Sequence, residues 1–158
     1  MNKNALKKYL FPALIALTAA FMVSRFLFVA VLVQGPSMEP GIRNGSIILA
    51  DRTCREYGVG DIIVFRQETV RENVVKRIAG CPGDIVQITD GKLLVNGETP
   101  GSFAGRYYDD PGRLRSPYCV PDGMLFVLGD NPSQSTDSRS GEFGDVHLDA
   151  VVGKVIGK

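Results

Sequence analysis

Residues 9–33 form an apolar run interrupted by Ser24 and Arg25, with Lys3, Lys7 and Lys8 ahead of it. A run of this kind is either a cleaved leader or a membrane anchor. A leader would carry an apolar core of about 7 to 15 residues and then a small-x-small cleavage site. Here the chain stays apolar beyond Arg25 as far as Val33, and no Ala-x-Ala follows, so the run reads as an uncleaved anchor. Two registers fit it. If it extends over residues 9–33, Arg25 lies in the bilayer at a cost of about 2.5 to 3.5 kcal/mol near the centre. If it ends near Ser24, Arg25 marks the far interface, and snorkelling by Lys8 and Arg25 offsets a span shorter than the roughly 17 to 25 residues usually needed. We adopt the second: a basic tail over residues 1–8, an anchor over 9–25 and one outer domain over 26–158, beginning with an apolar strand on the membrane surface. The lysines ahead of the run place the N-terminus in the cytoplasm by the positive-inside rule.

A chain of 158 residues has room for one compact domain beside its anchor. Its formal net charge of +1 gives no reason to expect nucleic acid as a partner. The three cysteines, Cys54, Cys81 and Cys119, show no C-x-x-C spacing, so neither a zinc site nor any other metal or cofactor is indicated. One disulfide or three unrelated buried thiols both remain open.

Beyond Gly35 the pattern is short β-branched runs separated by Gly, Pro, Asn and Asp, which predicts a mostly β domain. The expected strands cover residues 46–50, 61–66, 73–79, 84–89, 92–95, 124–128 and 151–156. Asp90-Gly91 between two of them predicts a two-residue hairpin, because a type I′ turn needs positive φ at both positions. Residues 98–122 read as an excursion, a long loop or a short subdomain. Residues 129–144, dense in Asn, Ser and Asp, read as turns.

Only one histidine is present, His147, so a Ser-His-Asp hydrolase would have one place to find its base. It sits between Val146 and Leu148 and reads as structural. A lysine base removes that restriction. In Pro36-Ser37-Met38-Glu39-Pro40 the two prolines stiffen the loop that carries a serine hydroxyl, although the same residues also suit a plain turn. In a strand over residues 73–79, Val74, Lys76 and Ile78 share a face, and burial there disfavours a charged amine. A snorkelling lysine is the alternative. In the polar segment, Asp137 and Arg139 are spaced to pair and Ser135 could hydrogen-bond an amine, while a solvated ion pair worth under about 1 kcal/mol explains the same residues. S-x-x-K, G-x-S-x-G, P-loop and H-E-x-x-H patterns are absent.

Taken in order, the basic N-terminus and anchor, Arg25-Phe26-Leu27-Phe28, Gly35-Pro36-Ser37-Met38-Glu39-Pro40, Gly60-Asp61-Ile62-Ile63-Val64-Phe65, Lys76-Arg77-Ile78-Ala79-Gly80-Cys81-Pro82-Gly83-Asp84 and Gly129-Asp130-Asn131 through Ser135, Asp137, Ser138 and Arg139 resemble the type I signal peptidases, in their compact Gram-positive form. The resemblance implies a mostly β, signal-peptidase-like domain behind one transmembrane helix, with an apolar surface near the site that meets the membrane. It implies Ser37 as nucleophile and Lys76 as general base, with Ser135 orienting the amine and Asp137, Arg139 and Asp130 supporting. By the family's pattern Val33, Met38, Ile42 and Val75 line shallow pockets for an Ala-x-Ala preprotein. Gram-negative members carry a serine where this chain has Gly35, so the oxyanion hole must rely on backbone N–H groups, plausibly that of Ser37, and its second donor stays open. The implied partners are preprotein signal peptides and the lipid bilayer, with no cofactor; association with the secretion machinery stays open. Two rivals stand beside this reading: a specialised Ser-Lys processing peptidase of the pilin or conjugation type, and a catalytically silent, membrane-tethered peptide-binding β domain.

Overall fold

The computed structural model describes residues 3–67 and 72–157. Helix α1, Lys3–Leu27, passes directly into strand β1, Phe28–Leu32. Helical structure therefore continues past both edges of the expected anchor, and the surface strand starts at Phe28 rather than Phe26. Tyr9–Leu27 is long and apolar enough to cross a membrane, and it is not buried against the rest of the chain.

The body is two antiparallel sheets. Strands β2 (Ile47–Asp51), β3 (Ile62–Gln67), β4 (Glu72–Gly80), β8 (Met124–Leu128), β9 (Val146–His147) and β10 (Val151–Val155) join β1 in the order β1-β2-β10-β3-β4-β8-β9. A smaller sheet is ordered β6-β5-β7, from β5 (Ile85–Thr89), β6 (Lys92–Val95) and β7 (Tyr118–Cys119). The β5–β6 hairpin closes on Asp90 and Gly91 with φ of 51° and 71°, the turn expected from the sequence.

Strand β3 is apolar at consecutive positions because both faces of the large sheet are covered. Ile62 and Val64 pack with Val31, Val33, Met38, Ile42, Ile48 and Val75 on one side. Ile63 and Phe65 pack with Ile78, Leu125, Val127 and Val146 on the other. Lys76 stands opposite Ile63 in the β3–β4 register, and Val74 and Ile78 border the same cluster, as alternation requires.

The excursion over residues 98–122 folds onto the small sheet: Phe103, Tyr108, Leu114 and Val120 join Val86, Ile88, Leu93 and Val95 in a third cluster. Isolated apolar residues anchor it, so no periodicity announced it. The cysteines are unpaired, and Cys119 is exposed rather than buried. His147 is structural: its Nδ1 accepts from the Asp149 N–H at 3.2 Å.

Gly80 joins the two sheets. A Cβ placed there would stand 2.7 Å from Val86 and 2.9 Å from Val120, so the small sheet reaches β4 only over a residue without a side chain. Gly80→Ala is expected to lose about 1–3 kcal/mol of stability by overpacking. Gly101→Ala, with nothing within 4 Å of the new methyl, is the matched control. Urea unfolding of the two variants checks the difference.

Candidate active site

The loop after β1 is held from several sides. The Val33 N–H donates to Ser46 O at 2.8 Å, the Ile42 N–H to Met38 O at 2.8 Å, and the Gly35 N–H to Asn44 Oδ1 at 3.0 Å. Met38 and Ile42 are buried in the cluster beneath. Asn131 fixes the middle of the loop, its N–H donating to Ser37 O at 3.0 Å and its side-chain amide to Pro36 O at 3.3 Å. Ser37 is thus carried on a rigid turn and remains partly exposed.

Lys76 is 3% exposed, and its Nζ donates to Ser135 Oγ at 3.0 Å. Burial pushes the amine down from 10.5 to about 8; Asp137 and Asp130 oppose the shift and Arg139 adds to it. The snorkelling alternative is excluded, since the ammonium does not reach water.

Gly129 explains how the serines come together. A Cβ there would lie 2.2 Å from Ser135 Oγ and 2.6 Å from the Ser37 carbonyl, so any side chain would separate the two segments. The sequence motif contained Gly129, but only the convergence of three distant segments gives it a function. Among the described residues Ser37 Oγ makes no hydrogen bond; the bond of the Lys76 amine is to Ser135.

The ion pair of the polar segment is buried rather than solvated, although Ser133, Gln134, Thr136, Gly141 and Glu142 around it are exposed. Asp137, 1% exposed, accepts from the Gly129 N–H at 3.1 Å and from Arg139 Nε at 2.8 Å. Arg139 also donates to Pro132 O at 2.8 Å and Ser135 O at 3.3 Å, which fixes the turn carrying Ser135. Asp130 is clamped by Arg77 at 2.7 Å and Arg106 at 2.9 Å. Neither arginine was singled out from sequence, because each partner lies on a different segment. Ser138, also buried, exchanges two bonds with Val127 and ties the segment to β8.

A groove of about 450 Å³ opens beside Ser37, lined by Val33, Met38, Val74 and Val75 among others. Ile42 packs below in the same cluster and does not line it. Strand β4 pairs with β8 only from Arg77 onward, so among the described residues its Glu72–Lys76 half is unpaired on that side. Strand β1 pairs with β2 alone. Two open strand edges therefore face the groove. Among the described residues the Ser37 N–H has no acceptor, whereas that of Gly35 is taken by Asn44.

Between pH 8 and 10.5 the unfolded chain carries a proton at Lys76 that the folded protein lacks, so stability rises with pH across that window, and below pH 8 the full penalty persists. Lys76→Met is expected to stabilise the fold at pH 7 by on the order of 3 kcal/mol. The gain should vanish above pH 10.5 in urea titrations at stepped pH.

The family model described as signal peptidase, peptidase S26, matches residues 6–157. The chain is 34% identical over 151 residues to a signal peptidase I of Bacillus licheniformis, covering 89% of this chain and 81% of the relative. It is 34% identical over 150 residues to signal peptidase I T of Bacillus subtilis, covering 88% and 77%. Among solved structures, a signal peptidase I from Enterococcus faecalis superposes with a TM-score of 0.50 at 30% identity, covering 65% of this chain and 97% of that one.

Proposed function

The chain belongs to the signal peptidase family S26, and on that premise we propose a membrane-anchored serine endopeptidase that removes N-terminal signal peptides from exported preproteins. The observation that carries the mechanism is the buried Lys76 amine, lowered to about 8 and bonded to Ser135 beside the Ser37 loop. A base must be neutral to accept a proton, and this one is partly so at neutral pH.

The preprotein lies extended in the groove and hydrogen-bonds its main chain to the open edges of β1 and β4. Val33, Met38 and Val75 narrow the groove and favour small side chains before the cut, the Ala-x-Ala pattern. Ser37 Oγ attacks the scissile carbonyl carbon while Lys76 Nζ takes its proton. The Ser37 N–H faces the developing oxyanion, and Gly35 contributes no donor because its own is engaged with Asn44. The protonated lysine gives its proton to the leaving amine, leaving an acyl-enzyme. Water deprotonated by the neutral lysine then releases the signal peptide. Hydrogen bonds to the nucleophile are commonly long before substrate binds, which accommodates a Ser37 hydroxyl without a bond to the amine.

Helix α1 is the anchor, with the N-terminus cytoplasmic and the sheets outside. The outward side chains of Leu32, Ile47, Leu49 and Ile156, 46–74% exposed, form an apolar face along β1 and β2 that extends away from the end of α1. That face suits contact with the bilayer surface.

Ser37→Ala is expected to cut a short Ala-x-Ala peptide in detergent at under about one-thousandth of the wild-type rate, and wild-type kcat/KM should rise with pH through about 8. Activity retained in Ser37→Ala would overturn the assignment. Ser135→Ala is expected to lower kcat on the order of a hundredfold by misplacing the amine. KM should stay unchanged, and steady-state kinetics separate the two parameters.

A further inference from the structure

A second cavity, of about 770 Å³, lies at the junction of α1 with the sheets and is lined by Phe26, Arg52, Arg55, Arg66, His147 and Asp149, with residues of β10 at its floor. It shares no residue with the groove at Ser37. Its three arginines come from different places in the fold. Arg52 and Arg55 follow β2, and Arg66 lies near the end of β3. Asp51 holds the first two in place by accepting from the Thr53 N–H and hydroxyl, both at 2.7 Å, which shapes the turn. Arg55 reaches back to Arg52 O at 2.9 Å.

Arg77, Arg106, Arg113 and Arg139 are each in an ion pair. Among the described residues Arg52, Arg55 and Arg66 are in none. The one carboxylate at the cavity, Asp149, is 93% exposed and contacts His147 at 3.5 Å. Guanidinium groups converging on a cavity match a phosphate, which accepts their paired N–H donors. One bond ties this turn to the helix end: the Arg52 N–H donates to the carbonyl of Leu27, the last residue of α1, at 2.8 Å. The exposed ring of Phe26, one residue earlier, stands at the same cavity. A phosphate bound there sits where a helix crossing a bilayer ends.

We infer that this cavity binds the phosphate headgroup of an anionic phospholipid of the outer leaflet and fixes the height and tilt of the catalytic sheets on the membrane. The inference rests on α1 being a membrane anchor, as proposed above. The full chain is added to vesicles of phosphatidylcholine alone and to vesicles of equal parts phosphatidylcholine and phosphatidylglycerol. Binding of fluorescent phosphatidylglycerol is then measured in neutral detergent. The variants are R52Q/R55Q/R66Q and the charge-preserving R52K/R55K/R66K. Both should cleave the short peptide at the wild-type rate, which reports an intact fold. The glutamine variant should bind phosphatidylglycerol about a hundredfold more weakly, and the lysine variant should fall between it and wild type. All three should float with phosphatidylcholine vesicles. Wild-type affinity in either variant would overturn the site, the lysine case revealing only diffuse attraction. Displacement of the lipid by inorganic phosphate at equal concentration would assign the cavity to free anions instead. Failure of the wild type to float with phosphatidylcholine would remove the anchor itself.

Discussion

The site depends on a lysine whose proton affinity stays low although two buried carboxylates act on it. Left unpaired, Asp130 and Asp137 would hold Lys76 in its charged form, because opposite charges attract strongly where water is excluded. Each carboxylate instead has its own cation: Arg77 and Arg106 on Asp130, Arg139 on Asp137. Their pull on the amine is outweighed by desolvation, the largest cause of its shift. The arginines thus act on Lys76 through the carboxylates they pair with, Arg139 also directly by its own charge, and they fix the polar segment in place. One network sets both the proton affinity of the Lys76 amine and the position of Ser135.

Close approach is the second constraint, and glycine meets it. Gly129 admits the Ser37 carbonyl and Ser135 on one side, while Gly41 passes Asp130 Oδ2 at a separation of 2.6 Å from where a Cβ would stand. Neither residue has a positive φ. Each is needed for the absence of a side chain: Gly41 leaves room for the Asp130 carboxylate, and Gly129 for the Ser37 carbonyl and the Ser135 side chain.

Much of this was legible in the sequence. The long strands fell within a residue or two of their expected bounds, because alternation and β-branched content are local signals. Lys76 was readable as a buried amine because its strand has apolar neighbours at alternate positions. The short strands Tyr118–Cys119 and Val146–His147 were not, since two residues carry no period. Asn96 and Gly97 form a second positive-φ pair, with φ of 52° and 88°. The pairing of Asp130 with Arg77 and Arg106 was invisible for a different reason. Charges in separate segments announce their presence and not their partners, so Asp137 and Arg139, two positions apart, could be paired on paper while Asp130 could not.

Chain geometry also links the anchor to the chemistry. Strand β1 begins at the residue after α1 ends, and the groove starts on that strand, with Ala30 to Val33 along its wall. An extended strand rises about 3.3 Å per residue, so the five residues of β1 carry the chain on the order of 17 Å from the helix terminus before it turns into the loop of Ser37. A substrate lying extended along the same strand, with its own apolar segment in the bilayer, spans a comparable distance in a comparable number of residues. The scissile bond must then fall a few residues beyond the apolar segment. A bond adjacent to that segment would lie too deep to reach Ser37, and one far beyond it would be free to bind in any register. On the proposed reading, the spacing between hydrophobic segment and cleavage point is set by the length of one strand.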